Sequence, residues 1–340
     1  MDRTYPKRVE DLNPTDLSTF LHFTSLAKSK LSAYPEFSTQ FHLFRFFRNE
    51  KFHLKNSLKH IDKFVAFRNK INIEHIKSLN PSELQLIKDS SGVTKWGFDK
   101  QGRPIEIRRL SQAKFKVLMA DDNKDHLKYF FVQYYERLLF IELPLASKRI
   151  GRRVDKIFMI TDFKGVGFSD MLSKKFKQFM SYISFLAQES YPELTGRNFI
   201  VNAPKMFKGL YNMSNPWLKN KASRTVTVHS SIPYDKLAEF IDISKLPRFL
   251  GGTVNEKNRP DEEKTNQEIE QSIVDKTFFL KNRRFEYEFY YTEEEKKERG
   301  VGKRKKRCFG VLKDMEDLEE GEKLIDGRSV FCGLHRHSKV

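Results

Sequence analysis

Between residues 100 and 253 the chain alternates short apolar runs with longer amphipathic stretches, and this alternation limits the fold more than any other feature. GFDKQGRPIEIRRL reads as a turn at Asp99 to Gly102 feeding a strand around Ile105 and Ile107. DHLKYFFVQYYERLLFIEL, residues 125–143, restores helical spacing through Leu127, Phe131, Tyr134, Leu138 and Ile141. KIFMITDFKG is too short for a helix and closes at Asp162 and Gly165, whereas MLSKKFKQFMSYISFLAQES is a strongly amphipathic helix. FIVNA and TVTVHSS are two further strands, IPYDKLAEFI a helix, and LPRFLGGT ends the ordered core at a Gly-Gly pair. Strand alternating with helix argues for βαβ units and a mainly parallel sheet, and continuous apolar strands fit burial on both faces.

Before this region the pattern is helical. Phe41, Phe44, Phe47, Leu54, Leu58, Ile61 and Val65 recur at three-to-four spacing, and Ser38 and Thr39 offer a cap ahead of the first apolar turn. After Gly252 a polar, charged stretch reads as a linker, followed by a strand-like RRFEYEFYY, a basic GVGKRKKR and an acidic KDMEDLEEGEK. The division expected is a helical module over 1–80, an α/β domain over 84–253, and a C-terminal extension over 254–340 that holds a small β element or is partly disordered. No internal repeat is visible.

Composition narrows the function. A chain of 340 residues with 39% hydrophobic content can bury a sizeable core. Its two cysteines, Cys308 and Cys332, lie near the C-terminus with no metal-site spacing, which suits a reducing compartment. MDRTYPKRVEDLNPTD lacks the apolar core of a signal peptide, and no run of about 18 apolar residues occurs, so a cytoplasmic, non-spanning protein is expected. The formal charge of +18 favours polyanions, either nucleic acid or anionic lipid surfaces, although solvated lysines account for such a charge equally well. No zinc finger, basic zipper or RNA-recognition signature supports the first.

Catalytic readings find no footing. Cys332, His335 and His337 resemble a metal tract only at a chain end. Gly300-Val-Gly-Lys303 lacks the upstream glycine of a phosphate loop, and Arg304 stands where a magnesium-binding hydroxyl is needed. No G-x-S-x-G elbow is present. The expectation is a protein with no catalytic residue, metal or cofactor.

One segment resists this plain account. After FIVNA and Pro204 comes an amphipathic stretch carrying Met206, Phe207, Leu210, Tyr211, Met213, Trp217 and Leu218. By spacing alone it is a helix docked on a core.

STQFHLFRFFRNEKF, DKQGRPIEI, TDFKGVGFSD, YPELTGRNFIVNAPKMF and LPRFLGGT occur in the order and spacing of the CRAL-TRIO family, the Sec-fourteen-like lipid-transfer proteins, and the resemblance covers residues 38 to 253. It implies a helical N-terminal module packed on a mainly parallel sheet that floors a gated apolar pocket. Residues 203–224 then become the gate, with Phe207, Leu210, Tyr211, Met213, Trp217 and Leu218 facing acyl chains when closed and bilayer when open. The resemblance implies a bound phospholipid, of the phosphatidylinositol or phosphatidylcholine class, moved between membranes without covalent chemistry. It also implies transient contact with anionic membrane surfaces, of an organelle the sequence does not specify, and it argues against nucleic acid.

Headgroup candidates carried over by the resemblance are Glu193 of Tyr-Pro-Glu, Arg48 as its partner or a phosphate ligand, Lys164 and Ser169. Asp162 fits a structural turn better. The sequence departs from the family's inositol-phosphate pattern Thr-x-x-Lys, whose places hold Ala222 and Thr225; Lys221 and Arg224 are the nearby cations. Phosphatidylcholine, another phospholipid, a sterol or a hydrophobic small molecule therefore stay open as cargo. The alternative function is a lipid-responsive sensor or adaptor that recruits a protein partner, or a lipid-modifying enzyme, through the C-terminal extension.

Overall fold

The computed structural model describes residues 8–79, 81–204, 207 and 225–256. All of them lie in one compact unit, Met1–Tyr291. The extension from residue 257 onward lies outside the described residues.

The chain opens with helices α1 (Pro14–Lys30), α2 (Gln40–Asn49), α3 (Leu54–Ile71), α4 (Ile73–Ser78) and α5 (Gln85–Ser90). Proline at the first turn and an Asn13 side chain accepting from the Asp16 N–H start α1; the Thr39 side chain accepts from the His42 N–H and starts α2. Phe20 and Phe23 of α1 meet Phe44 and Phe47 of α2, with Phe23 and Phe47 stacked at 5.5 Å and Phe20 and Phe44 edge-on at 5.6 Å. The spacing of α2 suggests one apolar stripe, but Arg45, Arg48 and Asn49 are buried as well. A helix buried on every side needs partners for its charges, and α2 finds them in the second half of the protein.

Five strands follow in spatial order β1 (Val93–Phe98), β2 (Pro104–Arg109), β3 (Ile157–Asp162), β4 (Thr195–Val201) and β5 (Val226–Val228). Only the β1–β2 pair is antiparallel. The turn joining β1 to β2 is held by Asp99, which accepts from the N–H groups of Gln101 and Arg103 at 2.9 and 2.8 Å, while Gly102 takes a φ of 74°. Helices α6 (Phe115–Leu118), α7 (Lys124–Arg137) and α8 (Leu143–Ile150) connect β2 to β3, and a wide turn at Leu138–Glu142 joins the last two into one continuous helix. Helices α9 (Phe168–Leu172) and α10 (Lys174–Phe185) connect β3 to β4, and α11 (Tyr234–Ala238) follows β5.

The two sheet faces differ in chemistry. Ile105, Ile107, Phe158, Ile160, Phe199 and Val201 point to one face and pack against Leu237, Ile241, Leu246 and Leu250. The closing Gly-Gly pair belongs to this packing: a Cβ on Gly252 would lie 1.9 Å from the Leu246 carbonyl oxygen. The opposite face turns toward α7 and α10, and by register its rows read Lys95, Glu106, Met159, Asn198 and then Val93, Arg108, Thr161, Ile200. No described helix is long and apolar enough to cross a membrane.

Candidate ligand-binding site

The turn between α10 and β4 gathers charge from distant parts of the chain. Glu193 adopts a φ of 64° there, a left-handed conformation that costs a non-glycine residue roughly 1–2 kcal/mol and persists only where neighbours impose it. Those neighbours come from α2. The Arg45 guanidinium donates to the Glu193 carbonyl at 2.9 Å and to that of Asp155, while Arg48 Nη2 stands 3.0 Å from Glu193 Oε2. Lys156 Nζ reaches the same oxygen at 3.4 Å.

This cluster fixes its protonation states. Burial opposes ionisation of Glu193, but the Arg48 and Lys156 charges outweigh it and hold the carboxyl below its ordinary value. Burial raises and Arg45 lowers the Asp155 pKa, and the lowering wins. Lys156 moves down, first through burial and then through repulsion by Arg48. Three cations thus surround two carboxylates at one end of the sheet. The excess positive charge suits an anionic group, and the carboxylates orient the cations that would receive it.

Next to it, Tyr191 donates to Glu136 Oε1 at 2.7 Å, and the fully buried Arg68 donates to the same oxygen at 2.6 Å. The Tyr191-Pro192-Glu193 segment is therefore tied to α2 by Glu193 and to α3 and α7 by Tyr191.

The other candidates lie elsewhere. Lys164 and Ser169 are exposed beyond the C-terminal end of β3, about 20 Å of strand from Glu193. Asp162 Oδ1 accepts from the Lys164 N–H at 2.9 Å and from Asn202 Nδ2 at 2.8 Å, so it ties the ends of β3 and β4 together. A cleft of about 590 Å³ opens at this end, between Lys164, Asn202, Tyr234, Arg248 and Phe249. Phe207 packs on Phe163 with ring centres 4.4 Å apart, beside Ile200, Phe176, Val226 and Val228, on the face toward α10. Leu210, Tyr211, Met213, Trp217, Leu218, Lys221 and Arg224 lie outside the described residues. No described group of histidine, cysteine, aspartate and glutamate side chains is arranged to hold a metal.

Sequence reasoning missed Arg45, Asp155 and Lys156, which carry no local signal because their contacts are wholly tertiary. It also missed the charges on the second sheet face, although PIEIRR alternates apolar with charged residues in a strand expected to be buried on both sides.

Residues 88–252 match the family model of the CRAL/TRIO domain. The chain is 27% identical over 221 residues to the Arabidopsis thaliana phosphatidylinositol/phosphatidylcholine transfer protein SFH12, covering 64% of this chain and 40% of that protein. It is likewise 27% identical over 211 residues to the Sec14 cytosolic factor of Schizosaccharomyces pombe, covering 62% and 73%. The solved structure titled "Crystal structure of Sfh5" aligns with a TM-score of 0.47 at 14% identity over 64% of this chain and 81% of that one. The chain thus spans two fifths of the length of the plant relative.

Proposed function

The chain carries a CRAL/TRIO domain over residues 88–252, and from this premise we propose that it binds a phospholipid in an apolar cavity over the α7- and α10-facing side of the sheet and moves it between membranes. The observation that carries the reading is the convergence of Arg45 and Arg48 on Glu193, whose backbone is held left-handed beside Lys156. A cationic cluster with built-in carboxylates at one end of a sheet suits a lipid phosphate, and phosphatidylinositol or phosphatidylcholine is the class named for the plant relative.

Exposing one methylene to water costs about 0.8 kcal/mol, so a lipid leaving a bilayer needs a cavity that replaces its hydrocarbon surroundings. Residues 203–224 serve as the gate of that cavity in this reading. Phe207 on the Phe163 cluster supports its placement on the α10 side. Shielded transfer needs no covalent step, only a gate that opens at a membrane and a headgroup site that selects cargo.

The test is transfer of labelled phosphatidylinositol and phosphatidylcholine between vesicles. Wild-type protein is expected to accelerate transfer, and Glu193→Ala to change the ratio of the two lipids carried. Bound lipid without net transfer would favour a sensor, and an unchanged ratio in the variant would remove Glu193 from the headgroup site.

A further inference from the structure

One basic surface is used neither by the sheet core nor by the Glu193 cluster. Lys148, Arg149, Arg152 and Arg153 are all exposed where α8 ends and the chain turns toward β3, and no acidic residue occurs between Glu142 and Asp155. This turn is fixed as well as charged. Gly151 closes α8 in a left-handed conformation with a φ of 67°, and the buried Val154 donates its N–H to Ser147 Oγ at 2.8 Å. Each guanidinium is held from its inner side. Arg149 lies over the Phe98 ring at 4.3 Å from its centre, Arg153 over Phe41 at 5.1 Å, and Arg152 Nη2 donates to the Gln101 carbonyl at 2.9 Å. Next to Gln101, Lys100 is exposed too.

An arginine laid flat on a ring keeps its in-plane N–H fork for a carboxylate. Arg149 and Arg152 form no ion pair among the described residues. The lysines at the start of α10 differ, because Lys175 lies close enough to Asp121 to help hold that carboxyl below its ordinary value. Ordering long side chains normally offsets most of the gain of an exposed ion pair, and at 148–153 that ordering precedes binding.

The sequence supplies a counterpart. Asp314, Glu316, Asp317, Glu319, Glu320 and Glu322 fall within nine residues, in a segment outside the described residues that the lipid-transfer reading does not use. The described chain ends at Glu256, 3.2 Å from Arg109 at the C-terminal end of β2, about 17 Å of strand from the patch. Residues 257–313 can span up to about 190 Å, so the connection permits the contact. A segment on the same chain also meets the patch at an effective concentration that a separate acidic partner rarely reaches.

We infer that residues 314–322 dock on Lys148, Arg149, Arg152 and Arg153 of their own chain and withhold this patch from anionic membranes. Release of the segment then exposes four ordered cations beside the Glu193 cluster. The contact needs no bound lipid, so it goes beyond the cavity reading and does not rest on it.

Two measurements on the purified full chain test this. A water-soluble carbodiimide joins carboxylates to amines at ion-pair distance, and mass spectrometry of the digest should find 314–322 linked to Lys148 or Lys100 within one copy, less so as salt rises. Cosedimentation with phosphatidylserine vesicles gives the second readout. Asp314→Asn, Glu316→Gln, Asp317→Asn, Glu319→Gln and Glu320→Gln together should raise vesicle affinity roughly five- to thirtyfold at low salt. The same changes should gain several times less where Arg149→Gln and Arg152→Gln have removed the docking site. An equal gain in both backgrounds would overturn the proposal, because the acidic segment would then act through net charge alone. It would also be overturned by no linkage, by linkage to Lys303, Lys305 and Lys306 instead, or by linkage only between two copies. None of these outcomes bears on lipid extraction and transfer, which test the carrier reading separately.

Discussion

His42 shows what burial does to one titratable side chain. It is enclosed by the rings of Phe37, Phe41 and Phe140 at 5.3, 5.0 and 5.6 Å. Burial, reinforced by the charge of Arg45, lowers its pKa from 6.5 to about 3. A histidine with a depressed folded pKa binds its proton in the unfolded chain first, so its contribution to stability is complete above about pH 6.5 and is lost as pH falls toward 3. Between pH 6.5 and 4.5 the loss should reach about 2–3 kcal/mol, and the Glu193 and Asp155 carboxylates, held below their ordinary values, add their own losses toward the acid end of that range. Urea unfolding across that window should show the decline, and His42→Leu should flatten it; an equal slope in the variant would assign the acid sensitivity to other groups.

At the scale of elements, the Arg68 bridge decides how the N-terminal helices hold the α/β domain. Arg68 of α3 is covered by Tyr34, Phe37 and Phe64 with its guanidinium 4.7, 4.6 and 5.3 Å from their ring centres, and it meets Glu136 of α7 with no solvent access. Arg68→Met strands the Glu136 carboxylate and should cost roughly 3–5 kcal/mol, whereas Arg68→Met with Glu136→Gln removes both charges of the pair, keeps an acceptor for the Tyr191 hydroxyl and should cost less. Thermal or urea denaturation of the two variants measures this, and equal losses would mean that packing around Arg68 matters more than charge. Elements were legible in the sequence where one physical signal dominated. The apolar run of β3 and the spacing of α3 read directly, whereas β4 begins at Thr195, four residues ahead of the FIVNA run that marked it in the sequence. Strand β1 did not, because Lys95 and Gly97 break the alternation of VTKWGF at a sheet edge, and the α7–α8 helix runs past its expected end because the turn at Leu138–Glu142 absorbs the change of register. Of the candidate site, Arg48 and Glu193 came from motifs, while Asp155 and Lys156 join them only once β3 is laid beside β4.

For the whole molecule, the excess of charge matters if the chain carries lipid as proposed, because the proposed cavity then has to meet a membrane surface. A net +18 over 340 residues gives a carrier a long-range attraction to anionic bilayers, at about 1 kcal/mol for each lysine or arginine near the surface. That attraction fades beyond a Debye length of about 10 Å at 0.1 M salt and about 3 Å at 1 M, whereas contacts inside the proposed cavity would be shielded from salt. Docking and carrying should therefore separate experimentally. Cosedimentation with vesicles rich in phosphatidylserine should fall steeply as salt rises, while the amount of lipid already held by the protein stays constant. If docking survived high salt, the apolar residues of 203–224 would be the dominant anchor, and Trp217→Asp should then weaken it. If held lipid were lost in parallel with docking, the ligand would sit at the charged surface and the cavity reading would fail.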